Sequence, residues 1–305
     1  MGKHLLDFQD LSKKEIEKLI ESTQKIDINS MQQTNSLSLL KFDEPSTRTR
    51  LAFSVAAHKL GIKTFESNDS ISSKIKGEEL EHEIETYKSM GISTLVIRTQ
   101  DENIDDYKEC KNISIISAGF GTLSHPTQAI LDAATLNKFN KLDSKIPITY
   151  IGDVRRSRVF ESGRELLSKL CYKVGVFTHK DFLPDDVSNV EIFNSWDEVF
   201  DACSAVELLR VQKERIDNID DLEIDNYIEN FQVNESILDK SRKEFIVMHP
   251  MTINVGIEIS EEAARNEKFK YRDQLTYGIS SRITSYMYSM AVSYTHLTLP
   301  TNREV

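Results

Sequence analysis

Short apolar runs alternate with amphipathic stretches along most of the chain, and this alternation predicts strands and helices in turn. Residues 36–42 are largely apolar and typical of a strand, and residues 51–60 follow with apolar positions near helical spacing. Gly61 then ends the predicted helix. Because strands that alternate with helices form parallel sheets, the predicted fold class is α/β, with a central parallel sheet flanked by helices in each domain.

The same reasoning places the remaining elements. A capping box, Ser12-Lys13-Lys14-Glu15, predicts the start of the first helix, and Pro126 predicts the start of a later one. The predicted strands are 36–42, 62–66, 94–98, 113–117, 148–151, 173–177, 190–193, 205–209 and 245–250, the last including its exit. The predicted helices are 13–24, 51–60, 78–90, 126–136, 159–170 and 273–292.

Composition narrows the class of protein. A length of 305 residues predicts two domains of ordinary size, and a hydrophobic share of 39% is enough for their cores. The net charge of −11 and the pI of about 5.2 argue against a nucleic-acid-binding surface. No apolar run reaches the ~18–20 residues of a membrane span, so we expect a cytoplasmic protein. Three widely separated cysteines offer neither a metal-binding spacing nor a disulfide framework.

A basic cluster in so acidic a chain needs a local explanation, and the first cluster lies where a strand turns into a helix. Residues 44–50 read Glu-Pro-Ser-Thr-Arg-Thr-Arg. The first N–H groups of a helix have no partner within it, and the helix dipole is positive there. Basic residues oppose that dipole, whereas the guanidinium of Arg48 with nearby hydroxyls suits a phosphate dianion. The alternative is a capped helix with a solvated basic first turn.

Two more polar positions follow predicted strands. Arg98 ends the strand 94–98, and ligands of an open α/β sheet lie beyond the carboxyl ends of its strands. His125 and Gln128 are three residues apart, hence on one face of a helix at its first turn. A neutral imidazole there can donate a hydrogen bond to a carbonyl oxygen. The alternatives are a surface arginine and an ordinary helix cap.

A second basic group lies at another strand–turn–helix junction, where Arg155, Arg156 and Arg158 follow a glycine turn. Their charge again opposes the helix dipole and favours an anion, with Arg155 and Arg156 more readily solvated. The glycine spacing of a dinucleotide site is absent. Further on, Arg210 and Gln212 point the same way if the segment is strand-like, so both can contact one carboxylate.

Taken together, these segments resemble the aspartate and ornithine carbamoyltransferases, over about residues 3–292. The matching stretches, in chain order, are Pro45-Ser46-Thr47-Arg48-Thr49-Arg50, a serine-rich loop ending Lys76-Gly77-Glu78, His125-Pro126-Thr127-Gln128, Gly152-Asp153 with Arg158, and Leu209-Arg210-Val211-Gln212-Lys213-Glu214-Arg215. The last stretch resembles the aspartate branch, as does Pro250, where the ornithine enzymes carry a cysteine.

The resemblance implies transfer of the carbamoyl group of carbamoyl phosphate to the α-amine of L-aspartate, giving N-carbamoyl-L-aspartate and phosphate in pyrimidine biosynthesis. It implies no metal and no cofactor. The implied catalytic residues are Arg48, Thr49, Arg98, His125 and Gln128. The implied substrate-binding residues are Ser46, Thr47, Arg48, Thr49, Ser72, Lys76, Arg98, His125, Gln128, Arg158, Arg210, Gln212, Met251 and Thr252.

The resemblance also implies a cyclic homotrimer, because Ser72 and Lys76 would act in the active site of a neighbouring subunit. On physics alone the alternative for Lys76 is solvent exposure. Regulatory chains are candidate partners, whereas nucleic acid and membrane are not expected. By the same resemblance, Glu214 would orient Arg210, and Glu44 would pair with an arginine across the interdomain gap.

Thr252 stands where the family has a second proline, and Val255 where one branch has an arginine. Two alternatives therefore stay open: a carbamoyltransferase for another amino acid such as ornithine, and a carbamoyl phosphate-binding paralogue without turnover. The predicted domains are 1–135 with the C-terminal helix 276–292, which bind carbamoyl phosphate, and 136–275, which bind aspartate. Residues 293–305 break the helix period and the charge pattern, and we interpret them as a non-native tail without function.

Overall fold

A computed structural model describes residues 3–31, 33–67, 79–212 and 221–291. The expectations for Ser72, Lys76, Glu214 and the tail 293–305 lie outside the described residues. The chain divides into two units. Unit 1 comprises Met1–Leu131 with Tyr277–Val305, and unit 2 comprises Asp132–Thr276.

Unit 1 is built on a four-stranded parallel sheet. Its N-terminal segment contains α1 (Lys13–Lys25), β1 (Leu37–Phe42), α2 (Thr47–Lys59), β2 (Lys63–Ser67), α3 (Leu80–Ser89), β3 (Thr94–Thr99), α4 (Ile104–Lys108), β4 (Ser114–Phe120) and the start of α5 (Pro126–Lys138), which continues into unit 2. The strand order β2-β1-β3-β4 means that the chain leaves β1 to one side and returns to its other side. The topological switch point of this sheet therefore lies between β1 and β3, where a ligand site is expected at the carboxyl edge.

The helix α10 (Tyr271–Ser289) completes the core of unit 1. Tyr286 and Met287 are buried against Leu40, Val96 and Ile116 of the sheet. The hydroxyls of Tyr286 and Ser38 lie 3.1 Å apart, so this buried phenol has a hydrogen-bond partner on β1. The N–H of Lys3 donates to the carbonyl of Ser289, the last residue of α10, at 2.8 Å.

Unit 2 is built on a five-stranded parallel sheet. Its elements are β5 (Ile148–Ile151), α6 (Arg158–Lys169), β6 (Val174–Val176), β7 (Val190–Ile192), α7 (Trp196–Ala202), β8 (Ala205–Leu208), α8 (Asp221–Phe231), α9 (Glu235–Lys240) and β9 (Ile246–Met248). The order β7-β6-β5-β8-β9 places the switch point between β5 and β8. One side of the sheet packs on an aromatic cluster that includes Phe177, Trp196 and Phe200.

The α/β fold class is confirmed. The helices α4, α7, α8 and α9 were not predicted, and the boundaries of the other elements differ from the predicted ones in few places. The clearest difference in a boundary is at β4, which continues to Phe120 although the predicted strand ends at residue 117. Its last residues keep pairing because Phe120 lies opposite Thr99 of β3, across an irregularity in the register. Among the described residues, no helix is long and apolar enough to span a membrane.

Candidate functional site

The first predicted site segment lies at the switch point of the unit 1 sheet. Ser46 is the N-cap residue of α2, with φ −158° and ψ 94°, and its side chain makes no capping hydrogen bond. The first turn of α2 contains no acidic residue either. The start of this helix is therefore left with N–H donors and a positive dipole end, which suits an anion.

The side chains of this helix start differ in exposure. Thr47 and Arg48 are exposed, Ser46 is half-buried and Thr49 is buried. Desolvation lowers the pKa of the Arg48 guanidinium from its ordinary value. Arginine nevertheless stays protonated near neutral pH, because its usual pKa is above roughly 12. The turn thus presents a permanent cation beside the open helix end.

Arg98 lies at the same switch point, since it pairs with Phe42 in the register between β3 and β1. Its Nε is 3.1 Å from Oε2 of Glu44, and its Nη1 donates to the carbonyl of Ala118 at 3.1 Å. The exposed fraction is 14% for the Arg98 side chain and 7% for that of Glu44. Two contacts on different atoms hold the guanidinium in place, which is what a fixed ligand for an oxyanion requires.

The partner of Glu44 in this ion pair belongs to its own unit, so an arginine partner in the other domain stays a prediction.

The third segment of unit 1 follows β4. His125 and Gln128 are 6% and 7% exposed; His125 directly precedes α5, and Gln128 lies in its first turn. The N–H of Gln128 donates to the carbonyl of His125 at 3.0 Å, which closes the first turn. His125 and Gln128 therefore follow the carboxyl end of β4, at the same edge of the sheet as Arg98 and the start of α2.

In unit 2, the two strand exits at the switch point touch. Gly152, with φ +125°, follows β5, and a Cβ atom on it would lie 2.1 Å from the carbonyl oxygen of Leu209. Only glycine permits this approach of the two backbones. The close contact brings the segment before Arg158 next to the segment that carries Arg210 and Gln212.

Beside this contact, a buried carboxylate organises the second basic cluster. Asp153 is fully buried, and Nη1 of Arg156 donates to its two oxygens at 3.2 and 3.4 Å. Burial raises the pKa of Asp153, and Arg156 opposes that rise. Nε2 of Gln212 donates to the carbonyl of Arg156 at 3.1 Å. Arg156 is therefore structural, contrary to the sequence-based expectation of solvation, whereas Arg155 forms a surface ion pair with Asp185.

Arg158, at the start of α6, is preceded by Ser157, whose hydroxyl accepts from the N–H of Phe160 at 3.2 Å. This helix end is capped, so any anion there is held by side chains. The segments after the two strands at the switch point of unit 2 carry the predicted residues: Arg158 follows β5, and Arg210 and Gln212 follow β8.

The exit from β9 carries the remaining predicted residues. Met251 has φ +62°, and the peptide bond between Met251 and Thr252 is cis. The N–H of Met251 donates to Nδ1 of the buried His249 at 2.8 Å, and the N–H of His249 donates to Oε1 of Gln274 at 2.8 Å. The loop is thus fixed by side chains that the sequence analysis did not single out.

Glu258 was also missed. It lies between Ile257 and Ile259, and these two apolar neighbours were the only sign in the sequence that it is buried.

No group of His, Cys, Asp or Glu side chains in the described ranges has the arrangement of a metal site. The three cysteines, Cys110, Cys171 and Cys203, form no disulfides.

Two family profiles match nearly the whole chain. Residues 3–138 match the carbamoyl-P binding domain of aspartate/ornithine carbamoyltransferase, and residues 144–288 match its Asp/Orn binding domain.

The chain belongs to the aspartate/ornithine carbamoyltransferase family.

Two relatives of this family member are the aspartate carbamoyltransferase catalytic subunits of Aquifex aeolicus and Legionella pneumophila, each 32% identical. The first covers 93% of this chain and 98% of its own length, the second 92% and 97%.

Solved structures are similar over the same extent. Aspartate transcarbamoylase from Trypanosoma cruzi in complex with carbamoyl phosphate has a TM-score of 0.79 at 25% identity, covering 95% of this chain and 96% of its own. The catalytic subunit of M. Jannaschii aspartate transcarbamoylase has a TM-score of 0.77 at 28% identity, covering 94% of this chain and 97% of its own. Two parallel-sheet domains flanked by helices are therefore the architecture of this chain and of these relatives.

Proposed function

We propose that this chain transfers the carbamoyl group of carbamoyl phosphate to the α-amine of L-aspartate, releasing phosphate and N-carbamoyl-L-aspartate. The observation that carries the proposal is the open start of α2 beside the fixed guanidinium of Arg98, at the switch point of the unit 1 sheet. Helix N–H donors and arginine forks are the groups that bind phosphate in proteins. The preference for aspartate is supported by relatives that are named for that substrate.

Unit 1 would hold carbamoyl phosphate. The start of α2, with Ser46, Thr47, Arg48 and Thr49, would bind the phosphate together with Arg98. Thr49, Arg98, His125 and Gln128 would polarise the carbonyl group. These donors would be aimed at the oxygen that gains negative charge when an amine attacks, and such preorganised donors commonly contribute most to catalysis.

Unit 2 would hold L-aspartate. Arg158, Arg210 and Gln212 would bind its two carboxylates, with the loop at Met251 and Thr252 beside them. A dicarboxylate suits these cations, whereas the ammonium side chain of ornithine would be repelled by them. The two switch points therefore divide the substrates by chemistry: a phosphoryl compound for unit 1 and a dicarboxylic amine for unit 2.

The bond changes in the proposed reaction need only these groups. The neutral amine donates its electron pair to the carbonyl carbon and forms the new C–N bond. The C–O bond to phosphate then breaks, and the phosphate leaves with the proton released by the amine. Held donors lower the barrier by orienting the reactants and by stabilising the oxyanion. The product would make this a step of pyrimidine biosynthesis in the cytoplasm.

The same proposal includes a cyclic homotrimer in which Ser72 and Lys76 complete the site of a neighbouring subunit. It is supported by two exposed apolar side chains on unit 1, Leu51 of α2 and Phe65 of β2, which are 61% and 51% exposed. Arg50 and Glu66 join the same two elements at 3.6 Å. Large exposed apolar side chains of this kind are typical of surfaces that associate. Light scattering should give three times the mass of the chain, and a monomer at catalytic concentration would contradict this part.

A substrate panel tests the proposed activity. Purified protein with carbamoyl phosphate should release phosphate well above its spontaneous hydrolysis when L-aspartate is added, and chromatography should identify N-carbamoyl-L-aspartate. L-Ornithine and L-alanine should give little release, because neither supplies a second carboxylate for the cations of unit 2. A preference for ornithine would establish the other branch of the family, and carbamoyl phosphate binding without any release would establish a paralogue without turnover.

A further inference from the structure

One buried carboxylate joins the two loops of unit 2 that carry proposed aspartate-binding residues. Glu258 has no exposed surface. Its Oε1 accepts from the N–H of Val211 at 2.8 Å, and its Oε2 accepts from the N–H of Asn254 at 2.6 Å. Nδ2 of Asn254 donates both to Oε1 of Glu258 at 2.9 Å and to the carbonyl of Val211 at 3.2 Å. Two of these four hydrogen bonds, made by the N–H and the carbonyl of Val211, join the two loops, and the other two hold Asn254 and Glu258 together.

Glu258 and Asn254 form a clamp on the main chain of Val211, and the positions that this clamp holds are next to proposed aspartate-binding residues. Val211 lies between Arg210 and Gln212, and its own side chain is fully buried. Asn254 lies two residues after Thr252, on the loop that leaves β9. The carboxylate therefore fixes the main chain of the Arg210 segment against the main chain of the Thr252 segment, and it does so directly at the residue between the two polar side chains.

The chemistry of the clamp requires a carboxylate. Burial raises the pKa of Glu258, whereas the N–H donors of Val211 and Asn254 oppose that rise. Within the described residues no cation pairs with it, so amide dipoles alone stabilise the group. An amide side chain in its place would have one acceptor oxygen and would turn its NH2 group towards an N–H donor. A core selected only for stability favours apolar side chains over a buried charge.

We propose that Glu258 is a positioning residue for the amino-acid substrate: it holds Arg210 and Gln212 in register with the loop of Met251 and Thr252. This inference rests on the proposed function, because it assigns those residues to aspartate. It adds a residue that contacts no substrate and acts through the backbone of Val211. Its effect is confined to unit 2, so carbamoyl phosphate binding does not depend on it.

The variant Glu258→Gln tests the inference through the two Michaelis constants. The KM for aspartate should rise about tenfold, the change expected when a buried hydrogen bond to a charged acceptor is lost. The KM for carbamoyl phosphate should change by less than about twofold. A side chain that serves only the stability of the fold would leave both constants unchanged in the protein that remains folded, or would raise both.

Two further variants keep the test decisive. Asn254→Ala removes two of the four hydrogen bonds but keeps the backbone donor, so the KM for aspartate should rise about threefold, again without an effect on carbamoyl phosphate. It decides the matter if Glu258→Gln does not fold. Thr149→Val is the matched control: Thr149 is fully buried in β5 with its Oγ1 2.9 Å from Sγ of Cys203, and it touches neither loop. Both constants should stay at wild-type values in this control.

The wild-type protein separates the inference from the proposed function. If it releases no phosphate with aspartate, the proposed function fails and the inference fails with it. If it turns over aspartate while both Glu258→Gln and Asn254→Ala keep the wild-type KM for aspartate, the activity stands and the inference alone is overturned. Equal increases in both Michaelis constants would likewise overturn it.

Discussion

The starts of α1 and α2 carry the same cap residue but treat it in opposite ways. At α1, Ser12 accepts from the N–H of Glu15, and Glu15 accepts from the N–H of Ser12. At α2, the hydroxyl of Ser46 makes no such bond, Thr49 stands at the position where α1 carries Glu15, and the first turn contains Arg48 and no acidic residue. The first helix satisfies its own end, whereas the second leaves donors and positive charge available to a ligand.

This difference separates stability from function. A capping box satisfies two orphan donors and stabilises a helix locally. The cap side chains of α6, α7 and α9 likewise accept from the N–H three residues on, at 3.2, 3.2 and 3.0 Å. The starts of α3 and α4 also lack a bond from the cap side chain, but their first turns carry acidic residues, whereas the first turn of α2 carries none. The start of α2 therefore lacks both kinds of local stabilisation, and a bound dianion is the group that would supply it.

The largest expected effect comes from Arg48. Replacing Arg48 with Gln should lower kcat/KM by about 10²- to 10³-fold, the usual cost of losing one preorganised donor to developing charge. The free energy of unfolding of the ligand-free protein should stay the same or rise slightly, because a cation that opposes the helix dipole is removed. Steady-state kinetics and urea unfolding measure the two quantities. Loss of stability together with activity would mean that Arg48 serves the fold.

A reciprocal pair of serine variants gives the next effect. Ser12→Ala should lower the free energy of unfolding by about 1 kcal/mol, as for other lost N-caps, and leave kcat/KM unchanged. Ser46→Ala should leave the free energy of unfolding nearly unchanged, because its hydroxyl caps nothing, and should lower kcat/KM by about tenfold. The comparison between the two helices is broken if both variants behave alike in urea unfolding and in the kinetic assay.

The smallest effect is a pH dependence at α1. The ion pair with Lys3 and the hydrogen bond from the N–H of Ser12 lower the pKa of Glu15 to about 2. A carboxylate with a depressed pKa in the folded state stabilises the protein above its unfolded pKa of roughly 4.3, and that contribution is lost as the pH falls towards about 2. The stability difference between wild type and Glu15→Gln should therefore be smaller at pH 3 than at pH 7. Partial exposure keeps this difference small.

A constant difference between these two proteins across the same pH range would show that the bonds of Glu15 contribute nothing measurable to α1.

The sequence predicted the fold well because its signals were local. The capping box at Ser12, the proline at the start of α5 and the glycine after α2 each act within one helical turn. The end of β4 was predicted too early because Gly119 and Gly121 favour a loop, whereas pairing with β3 across an irregularity in the register extends the strand to Phe120. Pairing between distant segments leaves no mark on the few residues around a glycine.

The residues of the site likewise include some that local sequence predicts and some that it does not. Arg98 and the start of α2 could be placed from strand ends alone, because the carboxyl edge of a parallel sheet is where ligands lie. The burial of Asp153 beneath Arg156 could not, since a charge beside a glycine turn is ordinarily solvated. The hydrogen bond from the N–H of Val211 to the carboxylate of Glu258 joins residues 47 positions apart, and only the folded chain brings them together.

The position of α10 has a consequence for how the protein is made. Tyr286 and Met287 are part of the core of unit 1, yet they are synthesised after all of unit 2. A ribosome that has released residues 1–131 has produced a sheet whose apolar face still lacks its covering helix. Unit 2 is continuous and can fold during synthesis, whereas unit 1 must wait until α10 has been synthesised. Chaperones that bind exposed apolar strands would thus meet the earliest part of this chain for the longest time.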